Sequence, residues 1–135
     1  MDNLKEIISK IFHHPDKFGE LVGYQLESII DDKVIISLTI HENLLSPSGV
    51  VHGGAIATLI DFSMGAAVFT RLNPGELCST IEFKVNYLSP VQVGEKIYCE
   101  SKLKFKGRSH AVTECHVYRE AGKDIAFAVG TYNIY

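Results

Sequence analysis

The chain has 135 residues, of which 46% are hydrophobic and 21% charged, and its formal net charge is −3. These values are ordinary for a globular protein and predict a single domain over residues 1–135. A slightly acidic chain lacks the basic surface of nucleic-acid-binding proteins, so no nucleic-acid partner is expected. Three cysteines without a C-x-x-C spacing favour buried free thiols in a reducing compartment. Since the N-terminus lacks the continuous apolar segment of a signal peptide, we expect a cytoplasmic protein.

The first predicted element is an amphipathic helix over residues 3–12. Its apolar side chains recur at the i, i+3, i+4 spacing of one helix face: Leu4, Ile7, Ile8, Ile11 and Phe12. The segment His13-His14-Pro15 then ends the helix. Adjacent residues of a helix point in different directions, so the two histidines indicate a solvated helix end rather than a metal site.

Residues 18–41 have the character of two strands. Residues 18–30 are predicted to be extended, and Asp31-Asp32-Lys33 is a plausible hairpin turn. In residues 34–41 apolar and polar side chains alternate, which is typical of a strand with one face on a core.

The central stretch is predicted to form a long helix over residues 53–70. It is almost continuously apolar and is interrupted by Thr58, Asp61 and Ser63. A membrane-spanning helix needs about 20 apolar residues with few charges, and here a carboxylate lies in the middle. A helix that is apolar all round is therefore better explained as the buried helix of a soluble protein, with no membrane partner.

Four more strands are predicted after a turn at residues 73–75. They cover residues 79–87, 96–105, 109–119 and 125–135. In the first of them the alternation places Ile81 inward and Thr80 outward, and in the second it places Phe105 inward. Short turns between strands imply antiparallel neighbours. The sequence thus predicts an α+β fold in which one antiparallel sheet covers the central helix, and the uncovered edges of that sheet predict a two-fold dimer.

His52-Gly53-Gly54 lies where a loop becomes the central helix. The first N–H groups of a helix have no intrahelical acceptor and lie at the positive end of its dipole. Such groups can stabilise a negative oxygen, and glycine lets a substrate approach the backbone closely. A second interpretation is that the two glycines serve only the close packing of helix on sheet. Spacing alone does not decide between them.

Asp61 lies about two turns into the same apolar helix, between Ile60 and Phe62. A carboxylate in such surroundings is costly unless it is hydrogen-bonded or faces a polar cavity. One interpretation is a structural aspartate that caps a nearby group. The other is a catalytic base or nucleophile whose pKa is tuned by its environment.

The spacing between the two features restricts the catalytic interpretation. Gly53 and Asp61 are eight residues apart, which is ~12 Å along one helix at ~1.5 Å per residue. A nucleophile and an oxyanion donor must both lie within ~3 Å of one reacting group. If both residues act on one carbonyl, the site must combine Gly53 of one copy with Asp61 of another.

The pattern formed by Gly49, His52-Gly53-Gly54 and Asp61, followed by VNYLSPVQVGE, closely resembles that of the hotdog-fold acyl-CoA thioesterases. The resemblance covers residues 18–135 and is strongest to the PaaI-like branch, the phenylacetate-degradation thioesterases of the 4-hydroxybenzoyl-CoA thioesterase superfamily. It implies one curved antiparallel sheet wrapped around a long central helix, here with an extra N-terminal helix. The implied activity is hydrolysis of an aryl- or fatty-acyl-CoA to free acid and CoA, without a metal or a cofactor.

The resemblance also implies roles for individual residues. Asp61 would activate water or attack the thioester carbonyl, and the Gly53 N–H would bind the thioester oxygen. His52 would orient the loop or help to polarise that oxygen, and Thr80 would bind the attacking water. Many relatives carry asparagine where this chain has Ser46, and nearby Asn43 is a candidate to compensate for it.

Coenzyme A carries three phosphates, which require a basic or backbone-donor site. The concentrated basic stretch of the chain runs through Lys104, Lys106, Gly107, Arg108 and Ser109. In the resembling family a loop in this area often meets the nucleotide, so Lys106 to Ser109 are predicted to bind CoA together with Gly54 and Asn43. The alternative is a solvated hairpin without a ligand. The family also implies a homodimer and often a dimer of dimers.

Two other functions are compatible with the same fold. One is a hydratase or dehydratase of acyl thioesters, although those relatives use a different arrangement of histidine and acid. The other is a non-catalytic acyl-CoA-binding protein. His41, His110 and His116 lie on separate strands without metal-ligand spacing, and the chain has no G-x-S-x-G nucleophile elbow.

Overall fold

The computed structural model describes residues 13–135, so the helix predicted over residues 3–12 lies outside the described part. The described elements are, in chain order, α1 (Lys17–Val22), β1 (Gln25–Ile30), β2 (Lys33–Thr39), a 3-10 turn (Glu42–Leu44), α2 (Gly53–Phe69), β3 (Cys78–Tyr87), β4 (Lys96–Lys106), β5 (His110–Arg119) and β6 (Asp124–Ile134). Among residues 13–135, no helix combines the length and hydropathy that crossing a bilayer requires.

The strands form one six-stranded sheet in the order β1-β2-β4-β5-β6-β3. Every neighbouring pair is antiparallel, and α2 packs across the face formed by β2 to β6. Buried apolar residues from both layers make the core: from α2 mainly Leu59, Ile60, Met64 and Val68, and from the sheet mainly Val34, Ile36, Leu38, Ile97, Val117 and Tyr132. The predicted α+β architecture with a sheet around a buried central helix is confirmed.

Strand β3 is not the neighbour of β4, although the short connection between them favours pairing. It lies at the edge beside β6, and residues 88–95 carry the chain to the other side of the sheet. Arg119 holds this connection, because its guanidinium donates to Glu95 Oε1 at 2.7 Å, to Ser89 Oγ at 3.0 Å and to the carbonyl of Pro90. Contacts from Arg119, which is 24 or more residues away in sequence, thus take the place of the hairpin contacts expected between β3 and β4.

Helix α1 corrects the prediction of an extended segment over residues 18–30. The Asp16 side chain caps it by accepting from the Gly19 N–H at 2.9 Å, and Gly23 ends it with φ +96°. Six residues are too few for a helical pattern of apolar side chains. Here the two capping residues decide the local structure.

Two β-bulges change which side chains face the helix. The pairing of β3 with β6 shifts between Thr80 and Glu82, and that of β4 with β5 shifts between Leu103 and Phe105. Ile81 is therefore 50% exposed and Phe105 58% exposed, although the alternation predicts both inward. An extra residue in one strand reverses the alternation on one side of the bulge.

Candidate active site

His52 caps the N-terminus of α2. Its Nδ1 accepts a hydrogen bond from the Gly54 N–H at 2.9 Å, so the neutral imidazole carries its proton on Nε2. The ring is exposed, which leaves the Nε2–H able to donate to a substrate. The N–H of Gly54, which sequence reasoning assigned to substrate binding, is thus occupied by the cap.

Gly53 is the first residue of α2, and its N–H has no acceptor within the helix. Its carbonyl accepts a hydrogen bond from the Tyr87 hydroxyl at 2.8 Å, which ties the end of β3 to the start of the helix. A Cβ on Gly53 would lie 3.3 Å from Cζ of Tyr87. Glycine therefore avoids a tight contact with Tyr87, and its N–H has no acceptor among residues 13–135.

The loop before α2 is held by its own residues. Leu45 and Val51 form an antiparallel bridge, and the N–H and hydroxyl of Ser46 both donate to the Val50 carbonyl, at 2.7 and 2.9 Å. Ser46 Oγ also lies 2.8 Å from Ser48 Oγ. Ser46 thus shapes the loop, while Asn43 is exposed in the 3-10 turn.

Asp61 lies in the middle of α2 with one carboxylate oxygen anchored. Its Oδ1 accepts from the Thr80 hydroxyl at 2.7 Å and from the Tyr132 hydroxyl at 2.8 Å. The Tyr132 hydroxyl also lies 2.9 Å from the Asp61 carbonyl. No group within residues 13–135 donates a hydrogen bond to Oδ2. The carboxylate is therefore held by one oxygen and has the other available.

The bulge in β3 explains why Thr80 reaches Asp61. Sequence alternation places Thr80 outward, but the extra residue at Ile81 turns it to the helix side. Thr80 pairs with Tyr132 across β3 and β6, so the two hydroxyls lie side by side under the helix. The predicted outward orientation of Thr80 was wrong, because its hydroxyl faces the carboxylate of Asp61.

Sequence reasoning missed Tyr132. It comes from the last strand and is only 2% exposed. A buried tyrosine hydroxyl needs a hydrogen-bond partner, so a tyrosine that faces the core is the sequence signal for such a contact. The hydrogen bond between Tyr87 and Gly53 was also not predicted from the sequence.

The groups around Asp61 are neutral donors. Burial, followed by the negative charge of Asp61, raises the pKa of Tyr132 far above its ordinary value. The same two causes raise the pKa of Cys78 to about 11. Both groups therefore stay protonated near neutral pH, and the Tyr132 hydroxyl remains a donor to the carboxylate.

Aromatic side chains lie beside the carboxylate on the α1 side. Phe62 stacks on Tyr24 with ring centroids 4.1 Å apart, and the Tyr24 hydroxyl donates to Asp16 Oδ2 at 2.5 Å. Burial and this hydrogen bond raise the pKa of Tyr24. Met64, two residues after Phe62 in α2, is fully buried in the core.

The predicted basic segment forms the turn between β4 and β5. The Gly107 N–H donates to the His110 carbonyl at 2.8 Å, and Arg108 and Ser109 are exposed. Lys106 Nζ lies 3.8 Å from Glu76 Oε1. The turn precedes Ala111, which pairs with Tyr132. Arg108 is three residues before Ala111 and therefore lies ~10 Å along the strand from the row that anchors Asp61, at ~3.3 Å per residue.

The histidines outside the helix cap have other neighbours. His41 Nε2 lies 3.0 Å from the Val22 carbonyl, and His116 Nε2 lies 3.7 Å from Glu100 Oε2 on the outer face. Among the described residues, no group of three or more His, Cys, Asp or Glu side chains could hold a metal ion.

Comparison with known proteins supplies the family. A model described as the thioesterase superfamily matches residues 48–126, a segment that contains the helix N-terminus, Asp61, Thr80 and the basic turn. The chain belongs to the thioesterase superfamily. As a member of that superfamily it is a thioester hydrolase with the hotdog fold.

Individual relatives of this thioesterase agree along most of its length. Acyl-coenzyme A thioesterase 13 of Homo sapiens is 30% identical over 128 residues, which cover 92% of this chain and 89% of the human protein. The structure of a conserved protein of Pseudomonas aeruginosa is 30% identical, with a TM-score of 0.84 over 89% of this chain and 94% of that one. The E. coli PaaI protein from the phenylacetic acid degradation operon is 16% identical, with a TM-score of 0.84 over 96% and 91% of the two chains, and shows the fold alone.

Proposed function

We propose that this protein is an acyl-CoA thioesterase in which Asp61 acts as nucleophile or general base. The observation that carries the proposal is the carboxylate itself: two hydroxyls hold Oδ1, and Oδ2 has no donor among the described residues. A carboxylate fixed in this way is oriented, and it keeps one oxygen for a proton or a carbonyl carbon. The human relative named acyl-coenzyme A thioesterase supports the substrate class.

In the proposed reaction, hydrogen-bond donors at the start of α2 stabilise the thioester oxygen. The thioester oxygen accepts the Gly53 N–H, and the His52 Nε2–H donates from the side, so that charge developing on this oxygen is stabilised. In the general-base form, Asp61 Oδ2 takes a proton from water as the water oxygen adds to the carbonyl carbon; the C–S bond then breaks, the acid is released, and the proton passes from Asp61 to the CoA thiolate. In the nucleophilic form, Asp61 Oδ2 adds to the carbonyl carbon, the C–S bond breaks to release CoA, and water hydrolyses the resulting anhydride to the acid and the regenerated carboxylate.

The site is proposed to combine two copies of the chain. Gly53 and Asp61 lie in one continuous helix, ~12 Å apart at ~1.5 Å per residue, so one copy cannot bring both to a single carbonyl. Two helices packed antiparallel about a two-fold axis bring Gly53 of one copy next to Asp61 of the other. The edge strand β3, which contacts both residues through Tyr87 and Thr80, is available for this association.

The CoA nucleotide is proposed to bind at the turn formed by residues 106–109. Arg108 has no ion-pair partner among residues 13–135, and it is exposed next to Ser109. Its distance along the sheet from the Asp61 anchors, ~10 Å at ~3.3 Å per residue, is well within the length of a pantetheine arm. Glu76 neutralises part of the charge of Lys106, so Arg108 is the main phosphate ligand in this proposal.

The substrate class is tested by measuring free-thiol release from a panel of aryl-CoA and straight-chain acyl-CoA thioesters. We expect hydrolysis of at least one class and no hydration of an enoyl-CoA. Hydration without hydrolysis would favour the hydratase alternative. Tight acyl-CoA binding without turnover would favour a binding protein and contradict the proposal.

The two-chain site predicts that inactive variants complement each other. Asp61→Asn lacks the carboxylate, and Gly53→Pro lacks the oxyanion N–H. When the two are co-expressed at equal levels, half of the dimers are mixed, and each mixed dimer keeps one complete site. The mixture should therefore regain about a quarter of wild-type activity. Activity no higher than that of the separate variants, in a sample shown by mass spectrometry to contain mixed dimers, would place the site within one chain.

A further inference from the structure

Tyr132 contributes a buried hydroxyl to the carboxylate from outside the segment that the family model matches. That segment ends at residue 126, and Tyr132 lies six residues later in β6. Its ring packs against the helix, with Cε1 3.5 Å from where a Cβ of Gly65 would lie. The side chain is thus clamped between sheet and helix with only its hydroxyl engaged in polar contacts.

The hydroxyl of Tyr132 contacts Asp61 twice. It lies 2.8 Å from Oδ1 and 2.9 Å from the backbone carbonyl of the same residue. One donor placed between a side chain and its own backbone restricts rotation about the bonds that join them. Thr80 also donates to Oδ1, from the more exposed side, so two hydroxyls hold that oxygen.

The two donors differ in how reliably they hold the carboxylate. A threonine hydroxyl on an exposed strand can turn to water, whereas the Tyr132 hydroxyl is buried and its hydrogen prefers the plane of the ring. Tyr132 is therefore the more rigid of the two anchors.

We propose that Tyr132 is a positioning residue for thioester hydrolysis, which holds Asp61 Oδ1 so that Oδ2 faces the reacting carbonyl or water. This inference rests on the proposed function of Asp61. It adds a residue that does not touch the substrate but determines the orientation of one that does. A tyrosine that merely fills the core would leave that orientation unchanged.

The test is Tyr132→Phe, which removes one oxygen and keeps the ring. We expect kcat to fall roughly 10- to 100-fold with KM little changed, because the carboxylate loses its fixed orientation. Loss of the hydroxyl acts through Asp61, so in the Asp61→Asn background the further substitution Tyr132→Phe should change kcat much less than it does in the wild type. A tyrosine that only fills the core would have the same effect in both backgrounds.

Tyr118→Phe is the matched control. Tyr118 lies on the neighbouring strand β5 and stacks on Tyr98 at 5.6 Å between centroids, so the kcat of this variant should equal that of the wild type. A second measurement covers the case in which Tyr132→Phe does not fold. Site-specific replacement of Tyr132 by fluorotyrosines, which keep the ring and have progressively stronger hydroxyl donors, should change kcat in the order of donor strength with KM little changed.

The outcomes separate this inference from the proposed function. If the wild type hydrolyses thioesters but neither Tyr132→Phe nor the fluorotyrosines change kcat, Tyr132 only fills the core and the inference is overturned. If the wild type releases no thiol from any acyl-CoA, the proposed function fails with it. A lower kcat at constant KM in Tyr132→Phe, or a graded response of kcat to the fluorotyrosines, would support the positioning role.

Discussion

Asp61→Asn should lower kcat by roughly 10³-fold while the protein keeps its fold, since general-base catalysis is typically worth 10²- to 10⁴-fold. Asparagine has the shape of aspartate, and its carbonyl oxygen can still accept from the Thr80 and Tyr132 hydroxyls. The amide nitrogen then takes the place of Oδ2. That nitrogen is a hydrogen-bond donor and can neither accept a proton from water nor attack a carbonyl. The measurement is the initial rate of free-thiol release at saturating acyl-CoA.

A matched control for this charge removal is Asp31→Asn. Asp31 lies in the turn between β1 and β2 with φ +56°, a conformation that asparagine also tolerates. The control changes net charge by the same amount far from α2, so its kcat should be unchanged. Wild-type kcat in Asp61→Asn would show that the carboxylate has only a structural role.

Gly53→Pro should lower kcat by about 10²- to 10³-fold, the usual effect of losing one oxyanion donor. Proline fits the first position of a helix, and His52 with φ −70° and ψ 134° already has the conformation favoured before proline. The substitution therefore removes the N–H with little change to the backbone. Thermal denaturation of the variant should remain cooperative.

Gly53→Ala is the control that isolates the N–H. Both substitutions place a Cβ 3.3 Å from Cζ of Tyr87, whose half-exposed ring must move slightly, but alanine retains the donor. Gly53→Ala should keep most of kcat, while any steric effect appears in both variants. Equal losses would mean that crowding against Tyr87, and not the donor, accounts for the effect.

Much of the fold and part of the site can be predicted from sequence because the signals are local. The helix of residues 53–70 stands out by its length and apolar character, and it is observed as Gly53–Phe69. Within it, Asp61 stands out because a carboxylate among apolar neighbours is costly unless it has partners. The glycine pair at residues 53 and 54 likewise indicates the start of the helix.

The remaining site depends on pairings between distant residues. Tyr132 is 71 residues from Asp61, and nothing in the local pattern of β6 distinguishes its hydroxyl from that of an ordinary core tyrosine. The position of β3 in the sheet is hard to predict for the same reason, because its partner β6 is the last strand along the chain. Helix α1 escaped detection for a different reason, since its caps are local but its six residues show no periodicity.

The bulge at Ile81 sets an odd spacing between the residues of β3 that face the helix. Thr80 lies opposite Tyr132 and Phe83 opposite Gly130, and both face the helix although they are three residues apart, because Ile81 is the extra residue between them. Deleting Ile81 would therefore give regular pairing with β6 and leave Thr80 on the helix side, whereas in a strand of the same length without the bulge Thr80 would face away from the helix. An alignment of this region has to match the hydroxyl residue by its partner in β6 and allow a gap between it and Phe83.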